Sequence, residues 1–190
     1  IFLVPLAITY DQLQEVSAMA AEEAGGNKPK EGLGWLAGYL RDQGRPQGMA
    51  HVRFGEPFAL RQALAPEPDG GVRWTLPKIA FEVFQRLNHV TPVTAPALVT
   101  LALLGVHDQA LTLEEVRATV GPLLDYAGQR KLPTVALAEL RKDQGVRMVL
   151  DSLVANGVVG RHDGGSESVY FIVRGQHGVA AFYRNSAVHW

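Results

Sequence analysis

The chain has 190 residues, with 18 basic and 19 acidic side chains and a formal net charge of −1. No global field draws in a polyanion, which excludes generic binding of DNA or RNA. The absence of cysteine excludes a disulfide framework, thiolate metal ligation and a thiol nucleophile. The length suits one domain, or one and a half, able to bury roughly two-thirds of its unfolded surface.

Ile1 to Tyr10 is almost continuously apolar and rich in β-branched and aromatic residues. Such a run predicts a strand buried on both faces, as in a parallel or mixed sheet covered by helices. Pro5 argues against a central ladder position and predicts an edge strand, or a bend at Pro5. The run begins at Ile1 with no initiator Met, basic n-region or cleavage site. It is therefore not a signal peptide, and a piece of a longer protein is expected. Asp11 is the expected cap of a helix from Gln12 to about Ala24, with Leu13, Val16 and Ala20 on one side. Gly25-Gly26-Asn27 ends it. A second helix is expected over Glu31 to about Gln43, with Trp35, Leu36, Tyr39 and Leu40 on one face. After a turn at Gly44 to Gly48, Ala50 to Phe54 alternates with period two and predicts a half-exposed strand.

Residues 65–73, with two prolines, two glycines and acidic side chains, form the expected boundary. The pattern beyond is helical: Pro77 to about Leu87, then Ala97 to Leu104 behind Pro92 and Pro96. Thr112-x-x-Glu115 is a capping box that opens a helix to about Gly128. Val135 to Leu140 and Val146 to Ala155 predict two more. Val158-Val159 and Ser168 to Val173, around His162-Asp163-Gly164-Gly165, predict a hairpin. Leu87 to His107 carries no formal charge, but its threonines, prolines, Asn88 and His89 favour a buried helix over a membrane span.

Few residues suggest chemistry. None of the six histidines forms a His-Glu-x-x-His or other i, i+4 pair, so a helix-borne metal site is not expected. His51 and His162 each precede a glutamate, Glu56 and Glu167, by five residues. With one residue in ten acidic, such pairs arise by chance. Gly32-x-Gly34-x-x-x-Gly38 follows a polar loop and not a strand, which favours close helix packing over a phosphate cradle. No Gly-x-Ser-x-Gly elbow is present. Leu113 to Val173 has the helix, helix, helix, hairpin order of a winged helix-turn-helix. Acidic residues slightly outnumber basic ones between positions 106 and 175, which argues against a nucleic-acid partner.

Several segments, in order, resemble the bacterial glycerol-3-phosphate acyltransferase family. Ile1-Phe-Leu-Val-Pro5-Leu-Ala-Ile-Thr-Tyr10-Asp11 is similar to its fourth conserved block. Glu15, Glu23, Gly25, Lys28, Lys30 and Glu31 resemble the charged stretch that follows. His51-Val-Arg-Phe-Gly-Glu56-Pro57-Phe-Ala-Leu60 resembles its aromatic-Gly-Glu-Pro segment. Leu87-Asn88-x-Val-Thr91-Pro92-Val93-Thr94, and Tyr183-Arg184-Asn185 with His189, resemble two motifs beyond the acyltransferase core. The helix at Ser17-Ala18-Met19 lacks the aromatic usual there.

The resemblance implies an α/β fold: residues 1–64 as the C-terminal part of an acyltransferase domain, 65–74 as a linker, and 75–190 as a mostly helical accessory domain with a small C-terminal hairpin. It implies a parent enzyme that transfers a fatty acyl group from acyl-CoA or acyl-carrier protein to glycerol 3-phosphate, giving lysophosphatidate. Dihydroxyacetone phosphate is the alternative acceptor, and a non-catalytic winged-helix-like interaction module the alternative function. The family's His-x-x-x-x-Asp motif and its Gly-rich phosphate-binding block are absent, being upstream of the fourth block in the family. This chain alone is therefore expected to be inactive, with no catalytic residue, metal or cofactor. Leu3, Val4, Pro5 and Leu6 would line the substrate pocket, and Glu56 and Pro57 would close the core behind it. Peripheral association with the cytoplasmic side of the cell membrane is a further implication.

Overall fold

The computed structural model describes residues 1–13, 16–23, 25, 32, 48–64, 76–107 and 109–189. The helix expected over 31–43, most of the glycine run at 32–38 and the expected linker at 65–74 lie outside these residues, as does most of the charged stretch.

The N-terminal strands build a two-stranded antiparallel ribbon. β1 (Phe2–Leu3) pairs with β4 (Phe58–Ala59), and β2 (Leu6–Tyr10) pairs with β3 (Ala50–Phe54). The expected single strand, buried on both faces of a parallel or mixed sheet, is thus two strands with antiparallel partners. Alternate residues of β2 differ sharply: Ala7 and Thr9 are buried, whereas Leu6, Ile8 and Tyr10 are exposed. Apolar side chains on both faces conceal this alternation in the sequence. The buried face rests on α3 (Leu76–Val90), which begins one residue before and ends three after the expected span. The short α2 (Leu60–Ala63) follows β4.

α1 (Val16–Glu23) starts later than expected, and Asp11 is not its cap. The Asp11 carboxylate bonds instead to Met49 and His51. Gln12 is buried outside the helix and donates from Nε2 to Ser152 Oγ at 2.8 Å. Val16 is fully buried and joins the core formed by residues 93–183. Gly25 closes the helix with φ +87°, the left-handed conformation that glycine adopts without a Cβ clash.

The core surrounds α4 (Ala95–Gly105), which packs against α5 (Leu113–Gln129), α6 (Asp143–Ala155) and α7 (His177–Asn185). Thr94 caps α4 by accepting from the Ala97 N–H, and Thr100 Oγ1 donates to the Pro96 carbonyl at 2.8 Å. The buried hydroxyl is therefore satisfied, and the helix otherwise presents apolar side chains to its neighbours. No helix of the described residues is long and apolar enough to cross a membrane. Val99, Val116, Val120, Val146, Leu150 and Leu153 are completely enclosed, each stabilising the fold by roughly 1.5–3 kcal/mol.

The capping box forms as expected. Thr112 Oγ1 accepts from the Glu115 N–H, and the Glu115 carboxylate accepts from the Thr112 N–H. The helix expected at 135–140 is instead β7 (Thr134–Val135), parallel to β5 (Val93–Thr94), followed by a 3₁₀ turn at Leu137–Arg141. Ala136 stands between them at φ +56°, which breaks helical continuity. β8 (Val159–His162) and β9 (Val169–Ile172) form the expected hairpin, and β6 (Leu111–Thr112) joins it in the order β6-β9-β8.

Candidate functional site

Pro5 marks a dislocation in the ribbon. Its carbonyl accepts from the Gly55 N–H at 2.8 Å, in register with Leu6 opposite Phe54. Leu3, however, stands opposite Phe58. Glu56 and Pro57 together therefore face Val4, which is a β-bulge. Neither Pro5 nor Pro57 has an N–H to give, so a bulge is where prolines in a ladder are tolerated. A Cβ on Gly55 would lie 2.7 Å from Val90 Cγ1 and 3.2 Å from Pro5 Cβ. Glycine is thus the residue that lets the bulge seat on α3.

Of the four residues expected to line a pocket, Pro5 is buried, Leu3 is half-buried, and Val4 and Leu6 point to the exposed face. Glu56 and Pro57 are exposed. A groove of about 470 Å³ lies beside β1, lined by Ile1, Leu60, Arg61 and Leu64. Arg86 sits 4.5 Å over the Phe58 ring, a cation–π contact that fixes β4 to α3, and its 2.6 Å ion pair with Glu82 within α3 holds the guanidinium in place.

The far end of the ribbon carries a histidine–aspartate pair that the sequence reading missed. His51 Nε2 lies 2.9 Å from Asp11 Oδ1, and Asp11 Oδ2 accepts from the Met49 N–H at 3.1 Å. The Asp11 N–H donates to the Met49 carbonyl at 3.0 Å. The only available signal was the strand register, which sets Thr9 opposite His51 and brings residue 11 beside residue 49. The carboxylate orients the ring and closes the chain where the intervening segment leaves and returns. Glu56, five residues on, is not the partner. His162, at the end of β8, and Glu167, in the hairpin loop, are both exposed, and Arg161 and Ser168 both donate to Asp163 between them. Among the described residues no three metal-binding side chains converge.

The two motifs singled out beyond residue 75 meet in space. α7 packs along α4, and His189 reaches back to backbone groups of Thr91, Asn185 and Asn88. Burial holds the His189 pKa below its ordinary value, and those hydrogen bonds pull it partly back. Tyr183 is buried, and its hydroxyl accepts from the Leu13 N–H at 3.1 Å and donates to the Leu13 carbonyl at 3.3 Å. Through Tyr183, the C-terminal motif grips the residues that follow the ribbon. Segments far apart in sequence thus form one continuous framework: ribbon, α3, the Thr91 turn and α7.

Residues 19–190 match the family described as the glycerol-3-phosphate acyltransferase C-terminal region. A protein of Mycobacterium tuberculosis, provisionally named acyltransferase plsB1, is 44% identical over the whole chain, which covers 31% of that relative. Its Mycobacterium bovis counterpart matches equally. A glycerol-3-phosphate acyltransferase of Shewanella baltica is 27% identical over 98% of the chain and 24% of its own length. The chain thus spans less than a third of the length of these curated relatives. It belongs to the glycerol-3-phosphate acyltransferase C-terminal region family.

Proposed function

We propose that this chain is the supporting C-terminal portion of a glycerol-3-phosphate 1-O-acyltransferase of phospholipid biosynthesis. The full-length protein would move a fatty acyl group from acyl-CoA or acyl-carrier protein to glycerol 3-phosphate, giving lysophosphatidate. The family match over residues 19–190 carries this reading. The chemistry requires a base to take the acceptor hydroxyl's proton and cations to hold its phosphate. The Asp11–His51 pair at the ribbon's end has the geometry of a latch. In this reading residues 1–190 alone are inactive, with residues 1–64 completing an α/β acyltransferase domain and 75–190 an accessory domain. Val4 and Leu6 become pocket wall when the rest of that domain is present, with Pro5 setting their strand. The full-length enzyme associates peripherally with the cytoplasmic face of the cell membrane.

The test is acyl transfer by the full-length protein with glycerol 3-phosphate and dihydroxyacetone phosphate as competing acceptors. Preferred formation of lysophosphatidate supports the reading. Preference for dihydroxyacetone phosphate assigns the alternative acceptor, and transfer to neither overturns it.

A second reading rests on the sheet order β6-β9-β8, in which the strand ahead of α5 joins the hairpin that follows α6. With α4 as first helix in place of the one expected at 135–140, that is a winged-helix arrangement, and it favours residues 95–173, shifted from the expected Leu113 to Val173, as a protein-interaction module within the same enzyme. Arg147 is an exposed cation on α6, so pull-down of the acidic acyl-donor carrier protein by the full-length protein, lost on Arg147→Glu, would support it. Unchanged capture would contradict it.

A further inference from the structure

The outer face of the ribbon is apolar and open. Leu6, Ile8 and Tyr10 stand opposite Phe54, Val52 and Ala50, and the large side chains among them are 39–72% exposed. Phe2 and Val4 continue the row, at 71% and 50%. A contiguous apolar patch of this kind marks an interface. The backbone edge is open as well. Pro5 and Asp11 direct their ladder bonds at β3, through the Pro5 carbonyl and the Asp11 N–H. Antiparallel alternation therefore turns the N–H and C=O groups of Leu6, Ile8 and Tyr10 the other way, to an edge with no strand among the described residues. The same three residues offer both the side chains and the hydrogen-bonding groups, and a two-stranded ribbon is marginal by itself.

The geometry points to a strand of the preceding polypeptide of the full-length protein, added to the open edge of β2, with its apolar neighbours covering Ile8, Val52 and Phe54. This rests on the reading of the chain as part of a longer acyltransferase. The matched family region starts at residue 19, so the open strand at 6–10 lies ahead of it. The chain covers only 31% and 24% of its relatives, which leaves ample chain to supply the strand. A lipid surface would cover the side chains but leave the edge's backbone groups unpaired, whereas a strand satisfies both. Covalent linkage also gives the occupant a high effective concentration.

The test uses the full-length protein, with native cysteines removed, carrying Ile8→Cys or Val52→Cys. Both are small changes at exposed positions. Met148→Cys, exposed on α6, is the control. Maleimide labelling is compared between the full-length protein and the 190-residue chain, with hydrogen exchange of the Leu6, Ile8 and Tyr10 amides. The expected result in the full-length protein is labelling slowed about tenfold or more at positions 8 and 52 but not at 148, with the three amides protected to match. Equal labelling in both proteins overturns the inference, whether fast or slow, since slow labelling of the 190-residue chain means its own residues cover the face. Protection that needs vesicles assigns the face to lipid, and protection that rises with protein concentration assigns it to a second copy. Either result also overturns the inference. The readout does not depend on catalysis. A protected but inactive full-length protein would leave the interface standing and remove the proposed reaction.

Discussion

The Pro5 carbonyl takes its hydrogen bond from the N–H of Gly55, and the space above Gly55 is already filled by Val90 and by Pro5 itself. The bulge, the strand break and the seat on α3 all depend on this one contact. Gly55→Ala should force a shift of Val90 or of the ribbon and cost about 1–3 kcal/mol. Denaturant unfolding of the chain checks this. An unchanged midpoint would show that the ribbon does not unfold with the core.

Asp11 and His51 are only 23% and 13% exposed in their side chains, so their bond escapes most solvent screening. A double-mutant cycle with Asp11→Asn and His51→Ala should give a coupling of about 1 kcal/mol. Additive single effects would mean that the pair is incidental to closing the ribbon.

His189 confers a pH dependence whose sign is fixed. Burial lowers its folded pKa from the ordinary value of 6.5, so between the two values the unfolded chain holds the extra proton. The stabilisation is complete above pH 6.5 and is lost as the pH falls towards the folded value. His189→Gln should flatten the fall in unfolding free energy as the pH drops below 6.5. An identical slope in both proteins would remove His189 from the account.

The capping box at Thr112 and Glu115 gives α5 its start. Thr112→Ala should cost about 1 kcal/mol, read from the thermal or denaturant midpoint. In the core, Leu150→Ala should cost about 2–5 kcal/mol, because this side chain is completely enclosed and its removal leaves a cavity. If the two losses were equal, the assignment of Leu150 to the core centre would fail.

The elements that could be read from the sequence are those whose signals are local. Thr112 and Glu115 announce their helix three residues apart, and Gly164-Gly165 announce the hairpin. The uncharged run to His107 holds the buried α4. Ile1 to Tyr10 misled because apolar side chains on both faces of a strand read as burial on both, although Leu6, Ile8 and Tyr10 are exposed. Asp11 looked like a helix cap because its true partners, at 49 and 51, are reached only through the ribbon's register. At 135–140, apolar spacing alone does not separate a 3₁₀ turn from an α-helix. The site divides in the same way. Pro5 was singled out correctly as a break in the strand, but its dependence on Gly55 and Val90 is tertiary.

The most direct test of the central claim compares acyl transfer by the full-length protein with transfer by residues 1–190, using a labelled fatty acyl thioester and glycerol 3-phosphate. Labelled lysophosphatidate is expected from the full-length protein and none above background from the 190-residue chain. Turnover by residues 1–190 alone would contradict it.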